Sequence, residues 1–190
     1  MSVEIELKVK VESFEQIVEK LRQIGADFDD NYTQTDYYFD DEEDSLVDSD
    51  RCLRLRKQHD HGDETFELTY KGKRQNRRFK SRREIGIMVE KAEEMMEVFA
   101  ALGYSERLVF EKRRQIWRSN GCDIALDELP LIGRFVEIEG PGDESIEATQ
   151  KRLGLEHLMH IEHSYAHLLE KKLAQLGKKE RKVFFENPRQ

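Results

Sequence analysis

Two cysteines in 190 residues, Cys52 and Cys122, are too few and too widely spaced for a zinc-type ligand set. If the strands around them alternate, Cys52 shares a face with Arg54 and Arg56, while Cys122 shares one with Ile124 and Leu126. The thiols then sit on opposite faces and no disulfide is expected. No apolar run is long enough to cross a membrane and no apolar signal-type segment opens the chain, so a cytoplasmic protein that engages no membrane is expected. A P-loop, a G-x-G-x-x-G turn and a G-x-S-x-G elbow are missing too, which removes the common nucleotide and hydrolase scaffolds. Positive charge is in deficit, with 32 Lys and Arg against 40 Asp and Glu and a net charge of -8. That excludes a protein coating nucleic acid, whose footprint would be broadly basic. Any cationic site must be local.

Charge as such is abundant: 38% of the residues carry it, against about 25% in an average globular domain. Its arrangement is informative. From Val3 to Val11 apolar and charged residues alternate strictly, so Val3, Ile5, Leu7, Val9 and Val11 share one face of a strand and Glu4, Glu6, Lys8 and Lys10 the other. Similar strands are predicted at Thr33 to Phe39, Cys52 to Arg56, Phe66 to Lys71, Lys80 to Val89, Val109 to Trp117, Cys122 to Asp127 and Phe135 to Glu139.

Between them, Ser13 to Gly25 reads as a helix, with Ser13 and Gln16 as a capping box and Phe14, Ile17, Val18, Leu21 and Ile24 as its apolar stripe. A shift of 78 positions lays Glu6 on Glu84, Val11 on Val89, Gly25 on Gly103 and that stripe on Ala92, Met95, Met96, Phe99 and Leu102. Two similar halves within one domain follow, since two copies are too few for a solenoid. Further helices are predicted at about Glu144 to Leu153 and Ser164 to Gly177. Residues 1–177 are expected to form this domain and 178–190 a charged tail. The acidic stretch Asp40 to Asp50 lacks the glycine and the terminal glutamate of an EF-hand and reads as a solvated loop.

An α+β fold is predicted, in which a closed antiparallel barrel of about eight strands forms a tunnel flanked by helices. The charged faces would then line its lumen: Lys8, Arg54, Arg56, Lys71, Arg82, Lys112 and Arg114, with Glu4, Glu6, Glu67, Glu84, Asp127, Glu137 and Glu139. Enclosing so many ions without a partner is prohibitive, at several kcal/mol each. A triphosphate satisfies the cations, and a hard divalent ion such as Mg²⁺ or Mn²⁺ satisfies the carboxylates and bridges them to phosphate.

The ordered motifs Glu4-Ile5-Glu6-Leu7-Lys8, Leu53-Arg54-Leu55-Arg56, Leu68-Thr69-Tyr70-Lys71-Gly72, Lys80-Ser81-Arg82-Arg83-Glu84, Glu111-Lys112-Arg113-Arg114 and Gly133-Arg134-Phe135-Val136-Glu137-Ile138-Glu139 span almost the whole chain. Together they resemble the CYTH family, or triphosphate tunnel metalloenzymes, most of all its class IV adenylyl cyclase branch. The resemblance implies that Lys8, Arg54, Arg56, Lys71, Arg82, Lys112 and Arg114 hold the phosphates. It implies that Glu4, Glu6, Glu137 and Glu139, aided by Asp127, ligate Mg²⁺ or Mn²⁺. Glu67 and Glu84 either join them or only neutralise cations across strands. Conversion of ATP to cyclic AMP and pyrophosphate is the activity implied, with hydrolysis of thiamine triphosphate or tripolyphosphate as the alternative. A non-catalytic polyphosphate sensor is a third reading, disfavoured by the carboxylates. The partner expected is a small-molecule triphosphate, and a homodimer is a further expectation. His157, His160, His163 and His167 read as solvated or capping residues rather than a zinc site. Trp117, Tyr37 and Tyr38 could stack on a base, although alternating strands place such rings in a core.

Overall fold

A computed structural model describes residues 2–60, 62–75 and 78–186; the side chain of Val3 and residues 187–190 of the expected tail lie outside the described set. The elements follow in the order β1 (Ser2–Val11), α1 (Glu15–Gln23), β2 (Asp27–Asp40), α2 (Ser45–Asp48), β3 (Cys52–Asp60), β4 (Asp63–Gln75), β5 (Lys80–Val89) and α3 (Ala92–Ala101). Next come β6 (Ser105–Ser119), β7 (Cys122–Leu129), β8 (Gly133–Glu139), α4 (Asp143–Arg152), α5 (Tyr165–Gln175) and β9 (Lys182–Val183).

Strands β2-β3-β4-β5-β1-β8-β7-β6 pair antiparallel in that order, and β6 pairs back onto β2, so the sheet closes into an eight-stranded barrel. Closure joins the last strand to the first and gives every strand an inner and an outer face. The 78-residue repeat is present in space: β1-α1-β2 and β5-α3-β6 start at matching positions, and β1 lies beside β5 as β2 lies beside β6.

Helices pack on the outer faces according to their stripes. From α1, Ile17 and Leu21 join Ile5, Leu7 and Val9 of β1, Ile124 and Leu126 of β7, and Ile146 of α4 in one cluster. From α3, Ala92 and Phe99 cover Phe39 and Leu55. Trp117 and Tyr37 belong to these outer clusters, as aromatic residues of alternating strands often do. Helix α5 behaves differently, because Tyr165, Leu169 and Leu173 pack with Leu108, Phe110 and Phe135, which lie on the same strand faces as the lumen charges. One end of the barrel is therefore stoppered by an apolar plug. Among the described residues no helix is long and apolar enough to cross a membrane.

Two local expectations need correction, and the tail shows a pairing on which no expectation was set. Helix α1 has Phe14 at its N-cap position with no side-chain cap, because it starts one residue later than a box of Ser13 with Gln16 needs; the Ser13 hydroxyl instead holds the neighbouring Glu15 carboxyl below its usual range. The acidic stretch is not wholly solvated, since the carboxylate of buried Asp40 accepts bonds of 2.9 Å from the backbone N–H groups of Leu46 and Val47, fixing the one-turn α2. Finally, the charged tail doubles back: β9 pairs parallel with Val109 and Phe110 of β6, just where β7, which pairs from Arg113 onward, leaves β6 uncovered. Val183 is buried there. Of the expected features, Gly25 does close α1, with φ +68 and the backbone bonds of Gly25 and Ala26 returning to Arg22 and Leu21.

Candidate functional site

Inward-facing residues of all eight barrel strands line a cavity of about 590 Å³. Every residue expected as a phosphate or metal ligand lies on its wall except Asp127, and so do Glu67 and Glu84. The cavity is mixed in charge, and the charges are arranged in two territories.

The cationic territory lies on β3 and β6, toward the plug. Arg56 forks onto Asp36 of β2 at 2.6 and 2.8 Å, and burial, which alone would raise the Asp36 carboxyl, is overcome by that guanidinium, so Asp36 is held well below the usual range. Arg114 forks onto Asp127 of β7 and bonds Glu137 of β8 at 2.6 Å. Asp127 is fully buried and also accepts from the Tyr165 hydroxyl at 2.9 Å, so it braces Arg114 from behind the wall. Lys8 reaches Glu137 at 3.0 Å and the His163 carbonyl at 3.2 Å, with its ammonium 3.9 Å above the Tyr165 ring.

Two cations here are under-used. Lys112 is 2% exposed and makes no hydrogen bond to a described residue, the nearest carboxylate oxygen being Asp127 Oδ2 at 4.0 Å. Burial first, then the guanidiniums of Arg114 and Arg56, push its ammonium well below the usual lysine range. Arg54 donates to Thr69 Oγ1 at 2.9 Å, but its Nε is buried with no partner among the described residues. A buried N–H without an acceptor carries its full desolvation cost, which an entering anion would relieve.

The acidic territory lies on β1, β5 and β8, away from the plug. Lys71 sits between Glu4 at 2.8 Å and Glu84 at 3.0 Å, and Lys80 is paired with Glu6. Glu139 stands at the open rim with no ion pair to a described residue; partial burial and the crowding of Glu4 and Glu6 push its carboxyl up to about 7. Among the described residues no three His, Cys, Asp or Glu side chains are yet gathered tightly enough to hold a metal ion. Lysines occupy the space between the carboxylates instead.

Arg82 also carries bonds that tie a loop to the barrel. Although it borders the cavity, its guanidinium donates to the Asp50 carbonyl at 2.9 Å, the Gly72 carbonyl at 3.1 Å and Asp50 Oδ1 at 2.6 Å, latching the β2–β3 connection to the barrel. Sequence reasoning left Lys80 unassigned although it shares a face with Arg82 and Glu84, and it gave no role to Asp36 or Tyr165. Cys52 lines the cavity while Cys122 is buried in the outer cluster, and both are free thiols. His163 and His167 stack on each other at 4.2 Å, and His160 lies 5.7 Å from Phe79.

A sequence profile of the CYTH domain matches residues 2–165. The chain belongs to the CYTH family. Its relatives include a Methanocaldococcus jannaschii protein named "Putative adenylate cyclase", 31% identical over 160 residues that span 84% of this chain and 87% of that one. Among solved structures, the PH1819 protein of Pyrococcus horikoshii OT3 superposes with a TM-score of 0.77 at 29% identity, covering 89% of this chain and 99% of its own. The same fold recurs at 17% identity and a TM-score of 0.67 in a Hippeastrum protein described as having a dominant triphosphatase activity, covering 95% and 98% of the two chains. The CYTH match ends at Tyr165, the residue that reaches the cavity floor, so the rest of α5 and β9 lie beyond it.

Proposed function

We propose that the protein is a divalent-metal-dependent enzyme that acts on a triphosphate held in the barrel, with conversion of ATP to cyclic AMP and pyrophosphate as its reaction. The observation that carries this reading is the opposition of two incomplete surfaces. On one side Arg54 Nε and Lys112 lack acceptors, and on the other Glu139 crowds against Glu4 and Glu6. A polyanion supplies the acceptors, and a divalent cation relieves the crowding. The donor set fits Mg²⁺ or Mn²⁺, because it consists of hard carboxylate oxygens from Glu4, Glu6, Glu139 and Glu137. Such an ion would supply charge neutralisation at phosphate oxygens and a lowered pKa for a coordinated hydroxyl.

The chain's own residues orient the substrate. Arg54, Arg56, Lys112 and Arg114 would take the phosphates in the cationic territory, Lys8 would hold the deepest of them, and Asp36 and Asp127 keep Arg56 and Arg114 aimed. Lys71 and Lys80, released from Glu4 and Glu6, become further phosphate donors. In the reaction the 3′-hydroxyl of ATP loses its proton to solvent and its oxygen attacks the α-phosphorus, while the bond from that phosphorus to the oxygen bridging to the β-phosphate breaks and pyrophosphate leaves; this requires in-line geometry and charge stabilisation rather than a covalent intermediate. A cavity of about 590 Å³, opening past Tyr32, Ile116 and Ala125 and the ion-paired Asp29, Arg118 and Asp123, has room for a nucleoside beyond the phosphate ligands.

The competing reading is hydrolysis of thiamine triphosphate or tripolyphosphate. What favours it is the charged wall of an open cavity, on which water could reach a terminal phosphate, together with the activity described for the Hippeastrum protein. Incubation with Mg²⁺ or Mn²⁺ and, separately, ATP, thiamine triphosphate and tripolyphosphate decides between them. Cyclic AMP with pyrophosphate is the expected outcome, orthophosphate release selects hydrolysis, and tight binding without product overturns the enzymatic reading.

A further inference from the structure

At the tunnel mouth β5 outruns its neighbour. It pairs with β4 as far as Val89, but β1 follows it only to the pair of Ser2 with Glu84. Over Ile85-Gly86-Ile87-Met88-Val89 no described residue pairs with β5 on the side away from β4. These five residues hold no charge and no proline, and their ladder to β4 is free of bulges. The first four are exposed, Ile87 by 53% and Met88 by 67%. Sheets ordinarily blunt an open edge with lysine, proline or a bulge, because its unpaired N–H and C=O groups recruit another strand. None of these devices is present here. The internal repeat marks the same stretch as uncovered, since Leu7 and Val9, the counterparts of Ile85 and Ile87, lie in the cluster with α1 and α4, while Ile85 and Ile87 belong to no buried cluster.

We propose that this edge pairs with its own copy, giving a two-fold dimer in which two β5 strands lie antiparallel and the two barrel sheets run together. Charge selects a second copy as the occupant. Along the outer face β5 reads Arg83, Ile85, Ile87, Val89, and Glu90 and Glu93 follow at the start of α3. Lys91 is occupied by Glu94 at 2.6 Å, which leaves Arg83, Glu90 and Glu93 without an ion pair to a described residue. A row that runs from basic through apolar to acidic is its own complement under a two-fold axis, which carries Arg83 of each copy to the acidic end of the other. The register follows from β1, which occupies the edge up to Glu84. An axis at Ile87 sets Ile87 on itself, Ile85 on Val89 and Gly86 on Met88, using all five open positions and no others. An axis at Gly86 would set Glu84 against Met88, where β1 already lies. Directly opposed residues share a face, and Gly86 lines the tunnel, so Met88 of the second copy joins the rim beside it. The pairing asks nothing of the lumen and stands or falls apart from the triphosphate reading.

Sedimentation velocity over a range of concentrations is expected to show twice the mass of one chain, with half-dissociation at about 1–100 µM, because five residues a side make a small interface. Ile87→Lys, which opposes like charges on the axis at a position already open to water, should leave the circular dichroism spectrum unchanged and give a monomer. Ile87→Cys should form a disulfide-linked dimer under mild oxidation, since opposed residues of antiparallel strands lie within reach of an S–S bond. Val47→Cys, equally exposed on α2, should not, and neither should the native protein, whose thiols lie in the lumen and in the outer core. A chain that stays monomeric well above this range overturns the proposal. So does a dimer that survives Ile87→Lys, or one that Ile87→Cys fails to link.

Discussion

The two halves of the barrel set the same ion pair at the same place with opposite polarity. In the first half Asp36 on β2 accepts a fork from Arg56 on β3; 78 residues on, Arg114 on β6 donates a fork to Asp127 on β7. The backbone duplicates the cross-strand geometry, and the chemistry filling it is free to reverse. Further along β1 and β5 the duplication diverges more. Glu6 matches Glu84, but Glu4 matches Arg82 and Lys8 matches Gly86, so one strand carries a full charged row and the other is bare at the rim. Outer faces diverge as well. Leu7 and Val9 are 2% and 0% exposed beneath α1 and α4, whereas their counterparts Ile85 and Ile87 are 44% and 53% exposed. Symmetry built the container, and the second half's extra helices and the first half's charges made its ends and walls unequal.

If the halves contribute unequally to metal binding, the matched pair Glu6 and Glu84 should show it. Glu6→Gln is expected to lower kcat at least about 100-fold, beyond the 10–100-fold typical of residues that merely orient a ligand. Glu84→Gln, whose carboxylate sits on Lys71, should lower it no more than about 10-fold. Equal losses would show that both halves ligate metal. The mirrored ion pairs can be broken in the same way. Asp127→Ala should cost about 3–5 kcal/mol in urea unfolding, because Glu137, the remaining acceptor of Arg114, already serves Lys8, and the Tyr165 hydroxyl is stranded. Asp36→Ala should cost about 1–3 kcal/mol, because it releases Arg56 at the cavity wall without stranding a buried hydroxyl. A larger loss at Asp36 would reverse the assignment of Asp127 as the brace.

The barrel and its inner residues were legible because period-two alternation states which side chains share a face, and a closed sheet turns one face into one lumen. The repeat was legible because Gly25 and Gly103 and two stripes kept register. Alternation says nothing about neighbours several strands away. Arg82 was therefore correctly placed on the inner face while its latch to Asp50, 32 residues earlier, was invisible. Tyr165 falls inside the helix predicted over Ser164 to Gly177, and only docking of α5 into the barrel end reveals a hydroxyl bonded to Asp127. The tail reads as polar because Val183 alone of its β9 residues is buried. Ser13 was misread because a cap and a local carboxylate compete for one hydroxyl, a contest settled by the helix start rather than by residue type.

Arg54 and Arg82 extend the comparison to the phosphate side. Both guanidiniums have an unpaired Nε, but Arg54 makes a single bond, to Thr69, so Arg54→Ala should weaken tripolyphosphate binding by about 1.5–3 kcal/mol, roughly 10- to 150-fold in Kd by calorimetry. Arg82→Ala, removing a group whose two terminal nitrogens already donate to protein oxygens, should weaken it less than about threefold. The reverse order would mean that Arg82 leaves Asp50 when phosphate arrives.

The smallest expected effect is on pH dependence, and it isolates Glu139, the rim carboxylate of the acidic territory. Partial burial, then Glu4 and Glu6, raise its carboxyl from 4.5 to about 7, so the folded state binds this proton more tightly than the unfolded chain does. Its contribution to stability is therefore complete below about 4.5 and is lost as pH rises to about 7. In the presence of a chelator, the melting temperature of the native protein should fall relative to that of Glu139→Gln across this window and run parallel to it above. Because Glu139 is open to solvent, the divergence should be modest. Saturating Mn²⁺ should cancel or reverse it in the native protein alone, since the ion displaces the proton and offsets the repulsion from Glu4 and Glu6. Parallel curves throughout the window would mean that Glu139 does not feel its neighbours, and the crowded carboxylates would then cease to argue for a metal.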